Sequence, residues 1–317
     1  MNETLRAMKH LEERFVAWAQ EREDIRMAVV VGSWARSDHP ADEWSDLDIG
    51  FSTTHPERYL SSDGWVAEIA NVWLMFPDAT GVTRHVLFEG GLDAGLAPIP
   101  HSDVRMAVRL VPALRRLPLR VMIPAPVRKG IERQLATAAE YIGRGVRVIL
   151  DKDAVAQRFL ALLPPHEPHR DLPSQRDYEA AVSQFWFEAV WSAKHLRRGE
   201  LWYAKNAGVD GSMKSLLLRM LEWNAWLAHG AKVDTWERGR FLEEWGDPRV
   251  SEELSRTFAH YDAEDVGRAL LATMDVFRRV AIETGERARY AYPAEADARV
   301  TEWVKTCMAN RRAAPSD

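Results

Sequence analysis

The sequence predicts an α+β chain: a mixed sheet with flanking helices over residues 1–163, then an α-helical bundle over residues 177–317. Three observations carry this. Short apolar runs that end in glycine or in polar turns recur through about the first 155 residues. Residues 164–176 then hold Pro164, Pro165, Pro168 and Pro173, which neither a helix interior nor a central strand tolerates, so this stretch reads as a linker. Beyond it, apolar residues recur almost wholly at helical spacing. At roughly 150 residues per domain, 317 residues allow two domains, each with its own core.

Taken in order, Leu5, Met8, Leu11, Phe15 and Trp18 recur at three- and four-residue intervals and predict a helix over 4–21. Ile25–Val31 and Asp46–Phe51 predict strands, as do His85–Phe88, Leu92–Ile99, Leu119–Ile123 and Val146–Leu150. Helical stretches are expected at 62–74, 102–115 and 127–143. After the prolines, helices are expected over 178–198, 199–206, 211–229, 238–245, 251–261, 263–286 and 296–311.

Composition narrows the function classes. The chain has 42 basic and 47 acidic side chains, a net charge of −5 that offers no footprint for sequence-independent nucleic-acid binding. Its single cysteine, Cys307, excludes an internal disulfide and a cysteine-based zinc site. His166 and His169 are spaced His-x-x-His but lie in the proline-rich stretch with no helix to orient them. No signal-peptide pattern and no apolar run of about 18 residues occurs, so a cytoplasmic, membrane-free protein is expected. Tryptophan is over-represented at 13 residues, either as an aromatic core or as a stacking surface.

The most informative segment is Val29-Val30-Val31-Gly32-Ser33, followed after a polar loop by Asp46-Leu47-Asp48. A Gly-Ser where a strand turns into a helix presents free backbone N–H groups and a hydroxyl, which suits a phosphate oxygen. Carboxylates at Asp46 and Asp48, two apart on a strand, leave one face together. Such a pair holds Mg²⁺ on a nucleoside triphosphate, and the ion polarises the α-phosphate.

Gly-Ser followed by Asp-x-Asp resembles the signature of the polymerase-beta-type nucleotidyltransferase superfamily. The segments Asp42–Asp48, Val86–Leu92 and Val148–Asp153 resemble successive blocks of the aminoglycoside 6-adenylyltransferase (streptomycin adenylyltransferase) family. So do Phe185–Phe187, Ala193–Leu201, Met220–Trp223, Arg238–Arg240 and Tyr292-Pro293 in the helical half. The resemblance runs from about residue 25 to 305. It implies Mg-dependent transfer of AMP from ATP, the co-substrate, to a hydroxyl of an aminoglycoside such as streptomycin held between the domains, with release of pyrophosphate. Asp46 and Asp48 would be metal ligands and catalytic groups, with Gly32, Ser33, Arg36, Lys194 and Arg240 contacting the nucleotide. Glu188, Trp186, Glu222 and Trp223 would contact the polycationic acceptor.

Two positions depart from the family pattern. Trp34 stands where an arginine commonly follows Gly-Ser, with Arg36 two residues on. Gly95 falls where the third carboxylate belongs, which makes Asp93, two residues earlier on the same strand face, the candidate catalytic base and Glu89 a weaker one. These departures keep two alternatives open: a nucleotidyltransferase acting on a lincosamide, another metabolite or a protein, and a non-catalytic nucleotide- or drug-binding descendant. The Asp151-Lys152-Asp153 segment is either a polar loop near the nucleotide or a strand-terminating turn.

Overall fold

The computed structural model describes residues 2–115, 142–164, 172–230 and 233–309, together with positions 129, 130, 133, 135, 138 and 139. The chain divides into two compact units, Met1–Glu167 and Pro168–Asp317. The expected strand at 119–123, most of the expected helix at 127–143 and His166 and His169 lie outside the described residues.

In the first unit, α1 (Glu3–Gln20) leads into β1 (Ile25–Val31), and β2 (Leu47–Thr53) returns beside it. After α2 (Pro56–Leu60) come β3 (Val72–Pro77), β4 (Arg84–Phe88) and β5 (Leu92–Pro100). Helix α3 (His101–Arg115), β6 (Val146–Asp151) and α4 (Ala156–Leu160) complete the unit. The six strands form one mixed sheet in the order β3-β4-β5-β2-β1-β6, with β2 and β5 parallel and the other neighbours antiparallel.

Alternation along the strands gives the sheet two unlike faces. Leu47, Ile49 and Phe51 of β2, with Val86, Phe88, Ala94 and Leu96, pack against Met8, Leu11, Phe15 and Trp18 of α1 in one buried core. Phe15, Trp18, Phe51, Tyr59 and Trp65 there form a ring cluster with centroid separations of 5.2–6.2 Å. The opposite face carries Asp48, Gly50 and Ser52. At its Ser52 end, Ser52 Oγ lies 3.0 Å from His101 Nδ1 at the start of α3, and His101 Nε2 lies 3.0 Å from Asp153. Its Asp48 end bears the exposed side chains of His85 and Asp93.

The helix expected at 62–74 is corrected. A 3₁₀ turn covers Gly64–Glu68, and Val72–Pro77 is the edge strand β3. Its run Val-Trp-Leu-Met-Phe lacks the polar alternation that marks a half-buried strand, because Trp73, Leu74 and Phe76 stay exposed. Strand β2 begins at Leu47, so Asp46 stands one residue before the ladder. Asp151-Lys152-Asp153 resolves as structure. Asp151 accepts from the backbone N–H groups of Val155 and Ala156, Lys152 donates to the carbonyls of Ala19, Gln20 and Arg22 at the end of α1, and Asp153 pairs with Arg26.

The second unit is helical. Helix α5 (Gln175–Arg197) opens with a capping box in which Ser174 and Asp177 satisfy each other's backbone N–H groups. Helices α7 (Ala263–Ala288) and α8 (Ala294–Ala309) pack against it, and α6 (Lys214–His229) packs against α7. Phe185 of α5 stacks on Phe277 of α7 at 3.6 Å. Gly285 leaves room for the Tyr178 hydroxyl, which donates to Ala281 O at 2.8 Å. The stripe with Phe185, Ala189, Ser192 and Leu196 is buried, whereas Phe187, Lys194 and Arg198 face solvent.

Shorter elements replace three expected helices. Leu201–Tyr203 continues into a π-helix over Ala204–Met213, in place of helices at 199–206 and from 211. Gly208 permits its close approach to α5, since a Cβ there would overlap Ser192. Between α6 and α7 the chain forms a 3₁₀ turn at Glu237–Gly239, short helices at Leu242–Trp245 and Pro248–Leu254, and a second turn at Ser255–Thr257.

Candidate active site

The candidate site lies on the open end of the sheet face that carries Asp48. Strand β1 ends in the 3₁₀ turn Gly32–Trp34, with Gly32 at φ +69°. A Cβ at Gly32 would be strained by that backbone and would stand 3.4 Å from Asp48 Oδ2, so glycine admits both the turn and the carboxylate. Ser33 Oγ is buried without a hydrogen-bond partner among the described residues. A buried hydroxyl left unpaired is a place where a ligand oxygen completes the bonding.

One register row crosses four strands of this face. Phe76 of β3 pairs with His85 of β4, His85 with Gly95 of β5, and Gly95 with Asp48 of β2. A Cβ at position 95 would overlap Asp48 Oδ1, so the glycine is the space into which the carboxylate leans. The Phe76 and His85 rings stack at 5.2 Å and 27°.

Asp46, Asp48 and Asp93 share one electrostatic environment. Burial, then repulsion from Asp46 and Asp93, pushes the Asp48 carboxyl up to about 6. Asp93 is raised by burial and by Asp46, against a hydrogen bond from its own backbone and attraction from His85. Asp46, His85, Asp93 and Gly95 line a cavity of about 230 Å³ with Leu74 and Phe76 on its apolar side.

Among the described residues no group of three or more His, Cys, Asp or Glu side chains is disposed as a closed metal cage. Asp46 and Asp48 are the residues that could hold a divalent cation, with phosphate oxygens and water completing its shell. The mutual repulsion of Asp46 and Asp48 is what such a cation relieves.

The remaining expected residues are dispersed. Arg36 donates from Nε to His39 O at 2.7 Å, which engages its guanidinium with its own loop. Glu89 accepts from Asn71 at 2.8 Å beside the hairpin turn. In the helical unit, Lys194 lies 5.8 Å from the Trp303 ring, and Arg240 flanks Trp236 and Phe241. Glu188 is half-buried, and burial raises the Glu222 carboxyl against the pull of Arg219.

Trp186 and Trp223 require a correction. They are 3% and 8% exposed, within the helical core, so they are packing residues and not a surface for an acceptor. Trp186 meets Phe185 edge to face at 5.4 Å and carries the Arg278 guanidinium over its ring. Helical spacing marks a buried stripe and a ligand stripe alike, and here the packing partners decide. Of the two readings of the tryptophan excess, these two residues fit the aromatic core.

His85 is absent from the residues expected at the site. Its signal was present: the three-residue turn Glu89-Gly90-Gly91 sets Phe88 against Leu92, and counting outward places His85 opposite Gly95.

Comparison with known proteins agrees in kind. The family model described as streptomycin adenylyltransferase matches residues 5–87 and 128–307, and the stretch between the two matched segments holds β5 with Asp93 and Gly95. The chain is 22% identical over 315 residues to an aminoglycoside 6-adenylyltransferase of Bacillus subtilis (strain 168), covering 95% of this chain and 98% of the relative. It is also 22% identical over 296 residues to one of Campylobacter jejuni, covering 91% and 92%. A crystal structure of an aminoglycoside 6-adenyltransferase from Bacillus subtilis aligns over 97% of this chain and 99% of that one, at 18% identity and a TM-score of 0.41. With most of its length matched by the family model, the chain belongs to the streptomycin adenylyltransferase family of nucleotidyltransferase enzymes.

Proposed function

We propose that this protein transfers AMP from Mg-ATP to a hydroxyl of an aminoglycoside such as streptomycin, releasing pyrophosphate. The observation that carries this reading is the convergence of the unpaired Ser33 hydroxyl, the Gly32 turn and the Asp46–Asp48–Asp93 carboxylates at one end of one sheet face. The turn's backbone and Ser33 Oγ bind phosphate oxygens. Asp46 and Asp48 hold the divalent cation, which when bound offsets the charge of the triphosphate. The acceptor hydroxyl attacks the α-phosphorus in line, and Asp93 stands beside that point as the third carboxylate.

The helical unit contributes charge of both signs in this reading. Within that unit Lys194 and Arg240 are candidates for binding phosphate, and Glu188 and Glu222 for binding ammonium groups. The protein works in the cytoplasm, where ATP and the acceptor meet.

The test is incubation with ATP, MgCl₂ and a panel of aminoglycosides, followed by mass spectrometry and a pyrophosphate assay. One adenylyl adduct and stoichiometric pyrophosphate are expected, both abolished by EDTA and restored by excess Mg²⁺. ATP binding by calorimetry with no adduct on any member of the panel would replace this reading with the non-catalytic one.

A further inference from the structure

Beyond the carboxylates, the Asp48 end of the sheet face holds an imidazole. His85 lines the same cavity as Asp46 and Asp93, and its side chain is exposed there. In the row Phe76–His85–Gly95–Asp48, the only position without a side chain is Gly95. Neighbouring strands lie about 4.8 Å apart, so the backbones of His85 and Asp48 stand roughly 10 Å apart, and the Asp48 carboxylate leans over Gly95 between them. The room for an acceptor hydroxyl is the cavity of about 230 Å³ that His85 lines with Asp46 and Asp93.

The surroundings of the ring suit it to the task. Phe76 stacks on it at 5.2 Å and restrains its plane. Asp93, two residue pairs further along the β4–β5 ladder, is its diagonal neighbour on the same face, at a typical spacing of about 7–8 Å that an imidazole spans. The charged groups facing the ring are Asp93 from β5 and Asp46 and Asp48 at the start of β2. Strand β3 presents only Leu74 and Phe76, and no lysine or arginine among the described residues lines the cavity. An imidazolium formed here meets carboxylates and no competing cation.

We propose that His85 is the proton acceptor of the transfer, with Asp93 as the residue that positions its ring and stabilises its charged form. This rests on the adenylyl-transfer reading above. As the acceptor oxygen forms its bond to the α-phosphorus, its O–H bond breaks and the proton passes to an imidazole nitrogen. The bond from the α-phosphorus to the bridging oxygen breaks, and pyrophosphate leaves with that electron pair. An imidazole has a ring nitrogen free to take a proton, whereas Asp46 and Asp48 are committed to the cation.

The experiment uses the full chain, Mg-ATP and streptomycin, comparing wild type with His85→Gln and Asp93→Asn. His85→Gln keeps a polar side chain of similar reach but cannot take the proton. Its kcat is expected to fall about 100-fold or more, with the KM for ATP within about threefold of wild type. The rise of kcat/KM with pH through the imidazole range should vanish in His85→Gln and move to lower pH in Asp93→Asn. An NMR titration of the resting protein should show the His85 ring losing its proton at lower pH once Asp93 is Asn. A His85→Gln protein with wild-type kcat and an unchanged pH profile would overturn the proposal. Failure of the wild type to modify streptomycin would strike the adenylyl-transfer reading instead, and an unmoved His85 titration in Asp93→Asn would still refute the pairing on its own.

Discussion

Asp48 and Gly95 face each other across the parallel β2–β5 ladder, and the carboxylate of one occupies the space left by the missing side chain of the other. Gly95→Ala places a methyl group on Asp48 Oδ1. The carboxylate is the free end of a short side chain, so the fold survives at a cost of about 1 kcal/mol while the carboxylate turns away from the cation. Transfer should drop at least tenfold with a melting temperature close to wild type, measured by adduct formation and by calorimetry.

Ser33 Oγ and the Gly32 turn make a separable prediction. Since the hydroxyl is buried and unpaired among the described residues, Ser33→Ala removes no bond from the folded protein. Stability should hold or rise slightly in urea titration, while ATP affinity falls about tenfold by calorimetry, the worth of one hydrogen bond to a charged phosphate.

Lys214, at the start of α6, predicts a pH dependence for the helical unit. Its ammonium donates to Thr257 O at 2.7 Å and Thr273 Oγ1 at 3.1 Å and sits over Phe258. Burial, opposed by Asp210 and reinforced by Lys205, still lowers it to about 8 from 10.5. Between those two values the unfolded chain binds more protons than the folded one, so stability rises with pH across that window. The penalty is fully present below pH 8. Lys214→Met should flatten the dependence, read by urea unfolding at pH 7.5, 8.5 and 9.5.

Asp297 gathers the last helix onto the bundle. At 4% exposure it accepts from Arg278 Nε at 2.6 Å and Nη2 at 2.8 Å, and from the hydroxyls of Tyr292 and Thr301 at 2.8 and 2.9 Å. Asp297→Asn leaves a partly buried guanidinium short of its partner and should cost about 3 kcal/mol. Glu295→Gln, which breaks the exposed pair with Arg299, should cost less than about 0.5 kcal/mol by the same chemical denaturation.

Much of this protein was legible from residue order alone, wherever chemistry is local. The Gly32-Ser33 turn, the spacing of Asp46 and Asp48, the amphipathic α1 and the switch from strand to helix beyond the prolines all follow from periods of 2 and 3.6 and from the conformations glycine and proline permit. Even the placement of His85 opposite Gly95 is contained in the length of one hairpin turn. What tertiary structure decided is which of two equivalent faces is buried and which strand neighbours which. Trp186 and Trp223, which the family resemblance offered as acceptor contacts, proved to be core: Phe277 of α7 meets the Trp186 ring edge to face, and Trp223 is buried in the same cluster. Trp73 and Leu74 read as helix and became part of an edge strand, because pairing with β4 supplies hydrogen bonds that no local pattern encodes. The site itself is of this second kind. The parallel alignment of β2 with β5, which brings Asp48 over Gly95 and level with His85, joins residues more than thirty positions apart, and only the folded sheet sets that register.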